Sequence, residues 1–120
     1  MAQQPDPLFS KIPQLQQKWV DSVFNTLSVD QKIGQLFTPM VFSRKDTTHY
    51  HEIKTLIEKY HIGGIIFSQG GPVKQTQWLN AFQSISKVPL LISMDAEWGV
   101  AMRLDSVVAF PLNMTLGAIK

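Results

Sequence analysis

The sequence predicts a parallel α/β fold. Three apolar, β-rich runs ("FTPMVF", "GGIIFS" and "LLISM") recur about every 25 residues, the spacing of βαβ units. Segments of helical periodicity lie between them, as crossovers between parallel strands require. The third run is continuously apolar, the pattern of a strand covered on both faces.

The elements follow in order. Pro5, Pro7 and Pro13 argue against helix in the first residues, so residues 1–13 read as an extended arm and residues 14–120 as the folded part. From Gln14, the positions Trp19, Val20, Val23, Phe24 and Leu27 form one apolar face at helical spacing, with Trp19 and Phe24 as core candidates. Ser28 followed by Gln31 fits a capping box, with Leu27 as the staple residue and Ile33, Leu36 and Phe37 on the helix it starts. The first strand is expected over Phe37–Phe42, with Pro39 marking an edge, a bulge or a strand end. "SRKDTTHYH" is a polar loop. The next helix carries Ile53, Leu56, Ile57 and Tyr60 on one side and closes at His61–Gly63 on a left-handed glycine. The second strand is Gly64–Ser68. Pro72 starts a helix that runs to about Ser86, with Trp78 packing inside. Pro89 opens the third strand, Leu90–Met94.

Composition narrows the function. The 120 residues suit one modest domain, and 44% hydrophobic with 17% charged residues implies a folded core. A net charge of +2 gives no electrostatic footprint for nucleic acid. Cysteine is absent, which excludes disulfides, thiolate metal sites and a cysteine nucleophile. No apolar run is long enough to span a membrane, and the first residues lack the pattern of a signal peptide. His49, His51 and His61 do not form a zinc-ligand pattern and are expected at exposed loop and cap positions. No metal or organic cofactor is expected. "GGIIFSQGGP" lacks the spacing of a phosphate loop, so its glycines are assigned to tight turns and close packing. Ser68 and Gln69 end the second strand, where a role facing a ligand stays open.

The chemistry concentrates in "PLLISMDAEWGVAMRL". Parallel α/β folds collect ligands at the carboxyl ends of their strands, and Asp95 stands at such an end. A carboxylate there must meet solvent, a cation or polar ligand groups. Arg103 is the nearest downstream cation, and Gly99 between them leaves room for a turn that brings the guanidinium back. The pair either ties a loop down or forms a polar clamp for a carbohydrate, with Trp98 offering an apolar face to a sugar ring. Asp95 and Glu97 at i and i+2 of an extended segment share a face roughly 7 Å apart, within reach of a two-carboxylate glycosidase geometry. Binding and loop support are the commoner use of such neighbours.

"LSVDQKIGQLF", "HIGGIIFSQGGPVKQTQWLNAFQSISKVPLLISMDAEWGVAMRL" and "FPLNMTLGA" resemble the start of the N-terminal (β/α)8 domain of family 3 glycoside hydrolases, with the β-N-acetylhexosaminidase branch the nearest in look. The resemblance runs from about Leu27 to Ala118. It implies the first three βα units of a TIM (β/α)8 barrel, incomplete in this chain, since such barrels take about 250 residues. It implies that Asp95 and Arg103 bind the terminal sugar and that Glu97 supports the loop. Many members carry a second glycine where this chain has Trp98. It implies retaining hydrolysis of terminal β-N-acetylglucosaminides, by an aspartate nucleophile on a late strand and an Asp–His dyad in a "KHFPGHG"-like segment. Neither occurs here, so no catalytic residue is expected in this chain, and the chain alone is expected to be inactive. A β-glucosidase of the same family and a small non-catalytic sugar-binding or interaction module remain as alternatives. A bacterial periplasm or envelope and the cytoplasm fit equally.

Overall fold

A computed structural model describes residues 13–119. The order is α1 (Pro13–Asn25), α2 (Val29–Gly34), β1 (Met40–Phe42), α3 (Thr47–Tyr60), β2 (Gly64–Gln69), α4 (Pro72–Ile85), β3 (Leu91–Ser93), a 3-10 turn (Val100–Met102) and α5 (Asn113–Gly117). Among the described residues the strands form one sheet in the order β1-β2-β3, parallel throughout. The expected parallel α/β layout is therefore present. The expected arm lies outside the described residues except for Pro13, which is the first residue of α1.

The core lies between β1–β2 and the two crossover helices. Val41, Ile65 and Phe67 point from the strands against Ile53 and Ile57 of α3 and Trp78 and Phe82 of α4. Tyr50 completes an aromatic cluster, stacked on Phe82 with ring centroids 5.0 Å apart and edge-on to Trp78 at 5.2 Å. Trp78 is buried, as its position on α4 predicts.

The local starts and stops have specific causes. Ser28 accepts from the Gln31 amide at 3.2 Å, and the Gln31 side chain accepts from the Ser28 amide at 3.1 Å, the reciprocal capping box expected of α2. Asp46 caps α3 by accepting from the His49 amide at 3.3 Å. Pro72 is in the first turn of α4, where its missing N–H costs no hydrogen bond.

Several boundaries differ from expectation. β1 is shorter because α2 ends in a turn in which Phe37 N–H donates to Gly34 O, while Pro39 offers no donor; pairing starts at Met40. β2 extends one residue further, to Gln69. β3 begins at Leu91 because the Gln83 side chain takes both main-chain groups of Leu90, accepting from its N–H and donating to its carbonyl, each at 2.9 Å. Its continuous apolar run is not buried on both faces: Leu91 is 71% exposed, because the outer edge and face of β3 have no neighbouring element among the described residues. α1 likewise buries none of its residues, and Trp19 and Phe24 are exposed rather than core. Phe24 is instead met by the Lys32 ammonium, 3.6 Å from its ring centroid.

α3 closes on His61 rather than on a glycine. His61 is the left-handed residue (φ 51°), and its carbonyl accepts from the Gln35 side chain at 2.6 Å. Gly63 is kept free for close approach: a Cβ there would overlap the Gln35 carbonyl, and one on Gly34 would overlap the Tyr60 carbonyl. These contacts pin α2 to the end of α3. No described helix is long and apolar enough to cross a membrane.

Candidate functional site

The carboxyl ends of the strands form a rim, and the loop after β3 folds back over it. Asp95 follows β3 by one residue beyond Met94. The chain turns at Gly99, whose N–H donates to Ala96 O at 2.9 Å and whose φ of 93° suits glycine. The 3-10 turn then returns the chain, and Leu104 forms a parallel bridge with Gly70 just past β2. Gly70 N–H donates to the Arg103 carbonyl at 3.3 Å, and Asp105 N–H donates to the Gly70 carbonyl at 3.0 Å. Gly70 itself adopts φ 138°, and a Cβ on it would overlap Ser43 Oγ and the Arg44 amide.

That return places Arg103 beside Asp95. Its Nη2 donates to Asp95 Oδ2 at 2.5 Å, and its Nε donates to the Asp95 main-chain carbonyl at 2.7 Å. The Arg103 side chain is 24% exposed and that of Asp95 60% exposed, so the guanidinium is the anchored partner and the carboxylate remains open to solvent. The Asp95 carboxyl is held below the ordinary aspartate range, first by a hydrogen bond with the Glu97 side chain and then by Arg103; slight desolvation works the other way.

Asp95, Glu97 and Arg103 do come together at the carboxyl end of a parallel strand. Glu97 also anchors the loop through its carbonyl, which accepts from the Asn113 side chain of α5 at 2.9 Å. Trp98 stands exposed beside them, its amide directed to Met102 Sδ at 3.4 Å. Ser68 is buried, and the Gln69 carbonyl accepts from the Arg44 amide at 3.3 Å. The Gln69 side-chain oxygen is buried with no partner among the described residues.

Of the histidines, His51 is exposed and His61 caps α3, as expected, whereas His49 departs from expectation. His49 is buried and accepts at Nε2 from the Phe42 amide at 3.2 Å, while His61 is half-buried with its ring 3.1 Å from the Gln31 side-chain nitrogen. A signal for His49 was present: it precedes Ile53 and Ile57 at successive steps of four, on the face that enters the core. No described cluster of three or more histidine or acidic side chains could hold a metal ion.

A hollow of about 1010 Å³ opens at the other end of the sheet, lined by Gln31, Ile33, Phe37, Pro39, Leu56 and Tyr60. These residues precede β1 and β2 or flank them, whereas ligands of parallel α/β sheets gather at the opposite ends of the strands. The Asp95 rim lies at the end of the strands where such ligands gather.

Residues 28–120 match the family model described as the glycosyl hydrolase family 3 N-terminal domain. The chain belongs to this family. Among curated proteins it is similar to a beta-N-acetylglucosaminidase/beta-glucosidase of Cellulomonas fimi, 27% identical over 100 residues, which cover 83% of this chain and 17% of that protein. Among solved structures it is similar to a beta-glucoside phosphorylase BglX bound to 2FGlc, with a TM-score of 0.55 and 21% identity over 75% of this chain and 17% of the other. That likeness is one of fold. The family 3 chain described here thus spans about a sixth of the length of either relative, and its three-stranded parallel sheet is consistent with the family's barrel domain.

Proposed function

We propose that this family 3 chain forms the first three βα units of a (β/α)8 domain in a retaining glycoside hydrolase that removes terminal β-N-acetylglucosamine, and that Asp95 and Arg103 hold the terminal sugar. The observation that carries this reading is the Asp95–Arg103 pair on the carboxyl rim of the sheet. Arg103 fixes the plane of the carboxylate from one side. Asp95 stays open on the other, where a carboxylate can accept hydrogen bonds from two sugar hydroxyls. Glu97 supports the loop, and Trp98 offers an apolar face at the rim. The edge of β3, unpaired among the described residues, supports a fourth strand beside it. The rest of the barrel, and with it the nucleophile and acid/base groups, would come from residues outside these 120, so this chain alone releases no nitrophenol from a nitrophenyl glycoside.

The test uses any longer protein that contains this sequence and hydrolyses nitrophenyl N-acetyl-β-glucosaminide. Asp95→Ala should lower kcat/KM about a hundredfold or more without unfolding. An unchanged kcat/KM would remove Asp95 from the sugar. The printed name of the Cellulomonas fimi relative joins both activities, which keeps β-glucosidase as the second reading. Faster turnover of nitrophenyl β-glucoside than of the acetamido substrate would select it. Sugar binding by a protein with no hydrolysis of either substrate would select the non-catalytic module.

A further inference from the structure

His49 is a buried titratable side chain that the sugar-binding reading leaves unused. It lies three residues after Asp46, the N-cap of α3, and its ring packs beside those of Phe42 and Trp78, with centroids 5.9 and 6.3 Å away. The Phe42 main-chain amide points at Nε2 from 3.2 Å. A main-chain amide only donates, so Nε2 must present its lone pair and the ring proton must reside on Nδ1. Nδ1 lies 3.2 Å from Glu52 Oε2, an acceptor that suits that tautomer.

The amide that His49 receives belongs to an irregular place in the sheet. The β1–β2 register shifts between Val41 and Phe42, so that Phe42 stands opposite Gln69 and Ser68 is left over. Immediately after Phe42 come Ser43, fully buried, and Arg44, whose amide donates to Gln69 O at 3.3 Å. Ser43 and Arg44 are the groups that leave no space for a side chain on Gly70. Gly70 in turn exchanges hydrogen bonds with Arg103 and Asp105. A continuous set of contacts therefore runs from His49 through Phe42, Ser43 and Gly70 to Arg103, and ends on Asp95.

We propose that His49, neutral and protonated on Nδ1, is a positioning residue for the Asp95–Arg103 rim: it fixes the carboxyl end of β1, against which Gly70 seats the loop that carries Arg103. Its importance for sugar rests on the reading of that rim as a sugar site. The relay of contacts does not. Losing the ring leaves the Phe42 amide without its acceptor in a mostly dry setting, so the end of β1 would move to find another. That displacement would pass to Gly70 through Ser43 and Arg44, which both donate to the carbonyl of the adjoining Gln69, at 3.4 and 3.3 Å.

The test is magic-angle-spinning NMR on a longer ¹⁵N-labelled protein that contains this sequence, with the His49 signals assigned by their loss in His49→Ala. In the unsubstituted chain, one buried histidine should show a protonated Nδ1 and an unprotonated Nε2. The reverse pattern would overturn the proposal without any variant. His49→Ala should shift the Gly70 amide and the Arg103 Nε–H resonances and weaken N-acetylglucosamine binding at least tenfold. His49→Gln, whose side-chain oxygen can accept from Phe42, should restore both. Unmoved Gly70 and Arg103 resonances in His49→Ala, or no restoration by glutamine, would refute the relay. Movement of Arg103 with N-acetylglucosamine binding unchanged in that longer protein would refute the sugar reading and leave the relay standing.

Discussion

Arg103 engages Asp95 twice, once at the carboxylate and once at the main-chain carbonyl of the same residue. The second bond locates the guanidinium relative to the backbone at the end of β3, so its position does not depend on the aspartate side-chain rotamer. Lysine carries its three donors on one nitrogen and has no rigid fork to span the carboxylate and the main-chain carbonyl together. Arg103→Lys is therefore expected to weaken N-acetylglucosamine binding nearly as much as Arg103→Ala, read by titration calorimetry. Full retention of affinity in the lysine variant would show that charge alone suffices.

The direction of the Asp95 shift fixes a pH dependence. Glu97 and Arg103 lower its proton affinity in the folded chain. A lowered folded value means that the pair's contribution is present above the ordinary aspartate value of about 3.9 and is lost only as pH falls through the lower, folded value. A ¹³C carboxyl titration should place the Asp95 midpoint below the ordinary aspartate value. Arg103→Ala should move its midpoint upward. A midpoint above the ordinary value would contradict the geometry.

Phe82 of α4 is fully buried and stacked on Tyr50. Its truncation removes an aromatic side chain and leaves a void between α3, α4 and β2. Phe82→Ala is expected to cost about 3–5 kcal/mol in urea unfolding, a large share of the total stability of a small domain. Val73, on the same helix but 70% exposed, should tolerate alanine with little change.

Gly70→Ala meets two obstacles at once, a φ of 138° and the Ser43–Arg44 backbone where the methyl group would go. It should destabilise the chain and loosen the Arg103 loop, seen as faster hydrogen exchange of the Gly70 and Asp105 amides. Gly71→Ala next to it, with open space around its Cβ position, is the matched control and should leave exchange unchanged.

Much of this arrangement was legible in the residues. The capping box at Ser28, the proline start of α4 and the turn at Gly99 that returns Arg103 to Asp95 are each set by local chemistry, which a sequence carries directly. Non-local effects were not legible. The side chain of Gln83 removes Leu90 from β3, and nothing in the strand pattern announces that. His61 takes the left-handed position at the end of α3, while Gly63, two residues on, is required by tertiary approach to Gln35. The apolar faces of α1 and β3 were read correctly as apolar and incorrectly as covered, since periodicity names a face and not its neighbour. His49 shares the spacing of Ile53 and Ile57, and a polar residue at an apolar repeat position gives no sign by itself of which side it faces.

Asp95 and Arg103 are eight residues apart, yet they are carried by different strands. Asp95 travels with β3, whereas the backbone of Arg103 is stitched to the end of β2 through Gly70. If the short β3 detached, it would take the carboxylate away and leave the guanidinium behind. The ion pair thus acts as a gauge of whether the third strand is seated beside the second, where Ile92 and Met94 also pack against the core.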